Sequence, residues 1–396
     1  MAEAAAAPFT IERAAGEAAT RRGVTRREVL EGLGEESLEA MEVLFPSLEE
    51  EARLSVLGRW ITHRFVARLI DQRLALDAFV RRTPAVLDER IVEPWFVVGA
   101  PRTGTTILSA LLAQDPRHRT PMGWELLYPA PSPALSDDLD ERLALADLEL
   151  RTPQVVSSGL TSIHEYSGRM YKECLSAMSF GFRSEEFTAR YDVPTYEAWL
   201  HACDMRPAYD LHHRVLQVLQ HAAPPRRWVL KTPVHLQNLP VLLEVYPDAR
   251  LSATHRDPLS IIPSVSSLVA TLRSAHSDEV DLDAIGRYHV DLYARALDRF
   301  VDQVESGALD PDRLTNSRHT DFLADALDVM RSLYAHFGWE LSDEAAEAMA
   351  AYLADHAEGA AGGHAYDLAS FGVDGADVRS RFTRYADAVG LTLRST

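Results

Sequence analysis

The sequence predicts an α/β fold: a parallel sheet flanked by helices, with an N-terminal helical layer ahead of it and a large helical insertion inside it. Three observations predict this. Short apolar β-type runs, Trp95–Val98, Trp228–Leu230 and Arg250–Thr254, are each followed by a polar or charged cluster and then by a helical pattern. Strand alternating with helix argues for parallel pairing with helices on both faces. From Ser37 to Arg82 apolar residues recur at three and four (Leu38, Met41, Leu44, then Leu54, Leu57, Trp60, Ile61, Phe65, Leu69), which is helical periodicity. Leu143–His221, between the first and second β-type runs, is also mostly helical in pattern.

In chain order, residues 1–23 are poorly patterned and read as frayed. Thr25–Leu33 reads as a short helix capped by Thr25 and ended by Gly34. The helical layer spans 1–90, and the sheet-forming core spans 91–140 and 222–396. Ile107–Ala113 reads as a helix after the first β-type run. Tyr128–Leu139 is rich in Pro, Ser and Asp and reads as a loop. The insertion, 141–221, carries many aromatics: Tyr166, Tyr171, Phe180, Phe182, Phe187, Tyr191, Tyr196, Trp199 and Tyr209. They either line an acceptor pocket, making the insertion a lid, or pack a small core of their own. Helical patterns return over Leu282–Gln303, Asp321–Phe337 and Ser342–Ala357, with a Gly-rich break at Ala360–His364. There is no internal repeat.

At 396 residues the chain is long enough for a large core and more than one subdomain. Its formal charge is −19, from 40 basic and 59 acidic residues. That argues against non-specific nucleic-acid binding and against docking on anionic lipid, so any anion site must concentrate cations locally. Two cysteines, Cys174 and Cys203, cannot make a disulfide framework or a cysteine-rich zinc site and read as small buried hydrophobes. Met1–Pro8 lacks the basic and apolar regions of a signal peptide, and no apolar run is long enough to span a membrane. A cytoplasmic enzyme without stable membrane insertion is expected.

The chemistry sits after the β-type runs. Gly99-Ala-Pro-Arg-Thr-Gly-Thr-Thr106 is a Gly- and hydroxyl-rich turn between strand and helix, a geometry that points backbone N–H groups and a helix N-terminus at an anion. Gly99-x-x-x-x-Gly104 has P-loop spacing, so the sheet is of P-loop type, but Thr105 stands where the P-loop lysine belongs. Arg102 puts a guanidinium in the loop instead. The loop therefore suits an anion, but not Mg-ATP in the usual way. Arg256 ends the third run. Asp257-Pro258 then starts a helix, with Asp as cap and Pro at the first position, and Pro263 should kink it ahead of Ser264. Arg256 can grip a phosphate bidentately and Ser264 can add a hydroxyl; an Arg–Asp surface pair and an ordinary helical serine is the other reading. Lys231 leaves the second run toward the same edge, with His235 at the start of the next helix. Glu125, in Gly123-Trp-Glu125, is a general base or a salt-bridge partner of Arg102 or Lys231. In a parallel sheet the ligand sits at the carboxyl ends of the strands, so these clusters should converge.

Pro101-Arg-Thr-Gly-Thr-Thr106 resembles the phosphosulfate-binding loop of sulfotransferases that use 3′-phosphoadenosine 5′-phosphosulfate (PAPS). Arg256 and Ser264, eight apart after a strand, resemble that family's 3′-phosphate motif. Asp115-Pro116 followed by Gly123-x-Glu125 is similar to the segment after the loop in tyrosylprotein-type enzymes. Lys231-Thr-Pro, and Tyr246-Pro-Asp-Ala-Arg250 ahead of Arg256, fit that branch too. The resemblance covers about residues 94–128 and 225–270, with a weaker match from His319-Thr-Asp321 through Trp339. The N-terminal layer and the insertion match only bacterial members.

What the resemblance implies is sulfuryl transfer from PAPS, as co-substrate and with no metal, to a hydroxyl of a small-molecule or glycolipid acceptor: a lipid, sugar or aromatic alcohol. Glu125 is then the base. His235 is the alternative, because cytosolic aryl and steroid enzymes use a histidine after a comparable Lys-Thr pair, here two residues further along. Lys231 and Arg102 stabilise the leaving charge. Thr103, Gly104, Thr105 and Thr106 hold the 5′-phosphosulfate with Arg102, while Arg256 and Ser264 hold the 3′-phosphate. His319 stands where many members carry a tyrosine near the adenine. The rival readings are a small-molecule kinase with a degenerate P-loop, for which Asp257 is the one nearby metal carboxylate, and a non-catalytic nucleotide-binding protein.

Overall fold

The computed structural model describes residues 6–130, 139–156, 167–221, 223–224, 226–356 and 367–394. Among them five strands form one sheet in the order β2-β3-β1-β4-β5. The strands are β1 (Trp95–Val98), β2 (His118–Arg119), β3 (Arg227–Lys231), β4 (Arg250–His255) and β5 (Leu314–Arg318). Every pairing is parallel, and Phe96 stands opposite both Leu230 and Leu251. All four residues of β1 are buried, as its unbroken apolar run requires of a central parallel strand. The three predicted strands are present. β2 and β5 are additional: β2 is two residues long, and β5 (Leu-Thr-Asn-Ser-Arg) is a polar edge strand with no apolar run to reveal it.

The helices, in order, are α1 (Ile11–Arg22), α2 (Arg26–Leu33), α3 (Glu35–Glu50), α4 (Val56–Arg82), α5 (Thr105–Leu112), α6 (Gly123–Leu127) and α7 (Leu139–Val156). Next come α8 (Leu175–Met178), α9 (Glu185–Arg190), α10 (Pro194–Leu200), α11 (Arg206–His221), α12 (Val234–Gln237) and α13 (Leu239–Val245). The last are α14 (Pro258–Ser274), α15 (Leu282–Glu305), α16 (His319–His336), α17 (Asp343–Asp355) and α18 (Gly375–Val389). Two compact units divide the chain. The first comprises Met1–Ile91, Pro121–Pro225 and Val269–Val280; the second comprises Val92–Thr120, Arg226–Leu268 and Asp281–Thr396.

The first unit is helical. Its start departs from expectation: residues 11–22 are not frayed but form α1. Thr10 caps it by accepting from the Arg13 N–H, and the face it buries is Ala15, Ala18 and Ala19. Alanines carry little hydrophobic signal, yet they let helices pack closely. α2 follows the sequence reading: Thr25 and Glu28 form a capping box, and Gly34 ends the helix. In the insertion, Phe180, Phe182, Phe187, Tyr191, Tyr196 and Tyr209 are all buried. Phe182 meets Phe45 edge-on and stacks on Phe187, which also meets Phe65 and Tyr196. Of the two readings of these aromatics, core packing holds for these six rings. Tyr171 is partly exposed, and Tyr166, the Gly-rich break at 360–364 and most of the proposed loop, 131–138, lie outside the described residues. Cys174 is buried as expected, whereas Cys203 is only half-buried.

The second unit is built on the sheet. Trp95 anchors one face, with the rings of Tyr334, Phe337 and Trp339 set edge-on at 5.1–5.3 Å. Its indole N–H donates to Ser252 Oγ at 2.8 Å, and Ser252 pairs with Thr315 Oγ1, tying β1, β4 and β5 together through buried polar groups that satisfy one another. Asp115, at the end of α5, is fully buried. It accepts from Arg117 and from the Tyr334 hydroxyl, and these partners hold its carboxyl down to about 2 against the opposing effect of burial.

Candidate active site

The carboxyl ends of β1, β3 and β4 lie side by side, because the strands are parallel and in register. β1 leads into the turn 99–104, which has three left-handed residues: Gly99 (φ +148°), Arg102 (φ +68°) and Gly104 (φ +107°). Gly99 is required for a second reason. A Cβ there would lie 2.6 Å from Thr254 Oγ1 and 2.8 Å from the Thr254 carbonyl. Arg102 in this conformation is unfavourable by roughly 1–2 kcal/mol, the kind of local strain that gathers at ligand sites.

Thr103 pins the turn. Its buried hydroxyl donates to the Ala100 carbonyl at 2.7 Å and therefore accepts from Thr254 Oγ1 at 2.6 Å. Its side chain is thus engaged within the turn and with β4. α5 then starts at Thr105 with Gly104 as its N-cap and no side-chain cap, so no side-chain cap satisfies the first-turn amides. Thr105 is buried and Thr106 exposed.

Four sequence-predicted side chains meet around this turn. Lys231, at the end of β3, donates from Nζ to Thr106 Oγ1 at 3.2 Å. Arg102 donates from Nε to Ser264 Oγ at 3.2 Å, and Arg256, just past β4, donates from Nη1 to the Arg102 carbonyl at 2.8 Å. Ser264 is carried by α14, which starts at Pro258 as expected. Asp257 caps it, its Oδ1 accepting from the Leu259 N–H at 3.0 Å, and the helix continues through Pro263. Three cationic groups, two hydroxyls and a helix N-terminus thus share one place on an acidic protein. Such an array suits a ligand with more than one anionic group.

Two further basic residues join them: Arg394, to which the sequence does not point, and His319, which the resemblance puts near the adenine. Arg394, in the segment after α18, donates its backbone N–H to Asp257 Oδ2 at 3.1 Å, with its guanidinium Nε 3.9 Å from the same oxygen. Its charge acts on Arg256, whose guanidinium is held below its usual range by burial and by Arg102 and Arg394. His319 opens α16, and burial together with Arg256, Arg102 and Arg394 pushes its imidazole down to about 4. No motif or spacing points to Arg394, which is 138 residues from Arg256 in sequence.

The two candidate bases belong to different units. Glu125 belongs to the first unit, where it is buried at the third position of α6 and its Oε2 accepts from the Met122 N–H at 2.9 Å. His235 is in the second unit, fully buried on α12, with its ring edge-on to Phe96 at 4.9 Å.

Residues 94–343 match the sulfotransferase family, well over half of the chain. The chain belongs to the sulfotransferase family. It is 30% identical over 282 residues to the omega-hydroxy-beta-dihydromenaquinone-9 sulfotransferases of Mycobacterium bovis and Mycobacterium tuberculosis, covering 67% of this chain and 68% of theirs. The crystal structure of sulfotransferase STF1 from Mycobacterium tuberculosis H37Rv superposes over 95% of this chain and 98% of its own, with a TM-score of 0.79 and 30% identity. STF9 from Mycobacterium avium gives a TM-score of 0.82 at 26% identity over 98% of both chains. The expected bacterial sulfotransferase family, α/β fold and enzyme class therefore hold. Among the described residues no helix is long and apolar enough to cross a membrane.

Proposed function

We propose that this sulfotransferase moves the sulfuryl group of PAPS to the hydroxyl of a small-molecule acceptor, a lipid alcohol first among the candidates. The observation that carries the proposal is the convergence of Arg102, Ser264, Arg256 and Lys231 on the turn 99–106. Amides of residues 103–106 and the hydroxyls of Thr105 and Thr106 bind the 5′-phosphosulfate, and Arg256 with Ser264 binds the 3′-phosphate. The acceptor oxygen attacks sulfur in line, the bond from sulfur to the bridging oxygen breaks, and adenosine 3′,5′-bisphosphate leaves. Lys231 and Arg102 face the charge that grows on that oxygen; preorganised cations at such a point are usually the largest catalytic contribution. Glu125 takes the acceptor's proton, an assignment supported by the Gly123-x-Glu125 resemblance. Full burial of His235 supports ranking it second. Acceptance of a lipid alcohol is supported by the relatives named for an omega-hydroxylated menaquinone. The insertion 141–221 is proposed as the acceptor-binding lid, with its six buried rings serving as core packing and not as pocket lining.

The test has two parts. Adenosine 3′,5′-bisphosphate should stabilise the protein against heat without added metal, while Mg-ATP should not. Radiolabelled PAPS should then transfer label to a long-chain alcohol in an acceptor screen. Stabilisation by Mg-ATP alone would favour a kinase, and bisphosphate binding without turnover on any acceptor would favour a non-catalytic nucleotide-binding protein.

A further inference from the structure

His319 is an imidazole set among guanidinium groups. It opens α16, directly beside the anion-binding turn: a Cβ placed on Gly104 would lie 3.7 Å from His319 Cδ2. The charges that act on it are those of Arg256 at the end of β4, Arg102 in the β1–α5 turn and Arg394 in the segment after α18. The nearby carboxylates are engaged with other groups. Asp257 receives the Leu259 and Arg394 backbone N–H groups, and Asp321 receives the backbone and side chain of Arg318. On β4 and β5, His255 and Asn316 bond to each other. In the free protein a fourth positive charge here meets three like charges, so the ring stays neutral. A bound polyanion reverses that balance.

We infer that His319 is a further phosphate-binding residue of this site and that it takes up one proton from solvent as the nucleotide binds. The inference rests on the nucleotide reading above. In the free protein the ring is held down to about 4, so it is largely neutral from about pH 5 upward. Each phosphate monoester brings roughly −1.5 to −2 charges near neutral pH, and opposite charge within reach favours the charged imidazole. The ring's proton affinity therefore rises on binding. Between the free and bound midpoints, one proton enters with each nucleotide. Affinity then climbs as pH falls, by at most about tenfold per pH unit. A residue fixed in one charge state, such as arginine or glutamine, gives no such dependence.

The experiment is calorimetric titration of the full-length protein with adenosine 3′,5′-bisphosphate at pH 5.0, 6.0 and 7.5, in paired buffers of different ionisation enthalpy. Wild type is compared with His319→Gln, and with His319→Asn should the first variant fold poorly. The nucleotide's own titration is common to both proteins and cancels in the difference. Wild type should absorb up to one more proton per nucleotide than the variant. Its affinity advantage should grow by about three- to tenfold per pH unit over part of this range. Equal proton uptake and a constant affinity ratio would overturn the role of His319 while leaving the nucleotide reading intact. Failure of wild type to bind the bisphosphate would overturn that reading, and this inference with it.

Discussion

At the scale of single residues, the proposed roles divide the side chains by the part of a nucleotide each would reach. Arg256 is anchored to the Arg102 carbonyl through one nitrogen, leaving the rest of its fork for a phosphate. A hydrogen bond to a charged group is worth about 1.5–3 kcal/mol, so Arg256→Ala should weaken adenosine 3′,5′-bisphosphate by roughly 10- to 150-fold. The 5′-monophosphate should lose far less, as calorimetry of both ligands will show; an equal loss for both would remove the 3′-phosphate assignment. Glu125→Gln should lower turnover about 10²- to 10⁴-fold, the usual worth of a general base, with bisphosphate affinity unchanged in the same titration. His235→Ala instead opens a cavity against Phe96, and its main effect should be a lower melting temperature. Active Glu125→Gln beside inactive, well-folded His235→Ala would reverse the two assignments. Arg102, Lys231, Arg256 and Ser264 were legible in the sequence because each lies at or shortly after a recognisable strand end. Arg394 was not: it reaches the site through the Asp257 carboxylate, a tertiary contact with no local spacing behind it.

At the scale of elements, the turn between β1 and α5 is the part whose geometry tolerates least change. Gly99 is hemmed in by Thr254 and Thr103, and Thr103 is in turn bonded to Ala100 and Thr254. Gly99→Ala must push the turn away from β4. Overpacking of this kind costs about 1–3 kcal/mol. We expect a melting temperature lower by several degrees in calorimetry, and a bisphosphate affinity that falls more than the stability loss alone accounts for. A variant with wild-type stability and affinity would show that the turn tolerates the displacement. The elements that were legible share one property: their own residues carry the signal. β1, β3 and β4 are apolar runs, and α2 has Thr25, Glu28 and Gly34 at its ends. Those that were not legible depend on neighbours. β5 is polar because it lies at the sheet edge, and α1 is held by alanines whose value lies in close packing rather than in hydrophobicity. The aromatics of the insertion were legible as a group but not as core or pocket, since both uses call for the same residues.

At the scale of the whole molecule, burial of neutral histidines ties stability to pH. His212 is pushed down to about 3 by burial and the neighbouring His213; His255 is pushed down to about 4, chiefly by burial; and His276 is pushed down to about 4 by burial and Arg190. An unfolded histidine titrates near 6.5, so between about 6.5 and 4 the unfolded chain binds protons that the folded protein does not. Stability therefore rises with pH through this window and is lost as pH falls. Three such groups give a slope of up to about 4 kcal/mol per pH unit near pH 5. His319 adds a fourth group of the same sign in the free enzyme. Carboxylates such as Asp115, held down to about 2, contribute only below about pH 4 and cannot cause a loss at pH 5 to 6. The melting temperature should thus fall steeply between pH 6.5 and 5, and unfolding at pH 5 should consume at least about three to four protons in calorimetry across buffers, since burial holds His63, His118 and His213 below the usual range as well. Saturation with adenosine 3′,5′-bisphosphate should reduce that number by close to one, because His319 is then protonated before unfolding begins. A melting temperature flat across this range would mean that these imidazoles already carry protons in the fold. The same proton count with and without nucleotide would separate His319 from the ligand it faces.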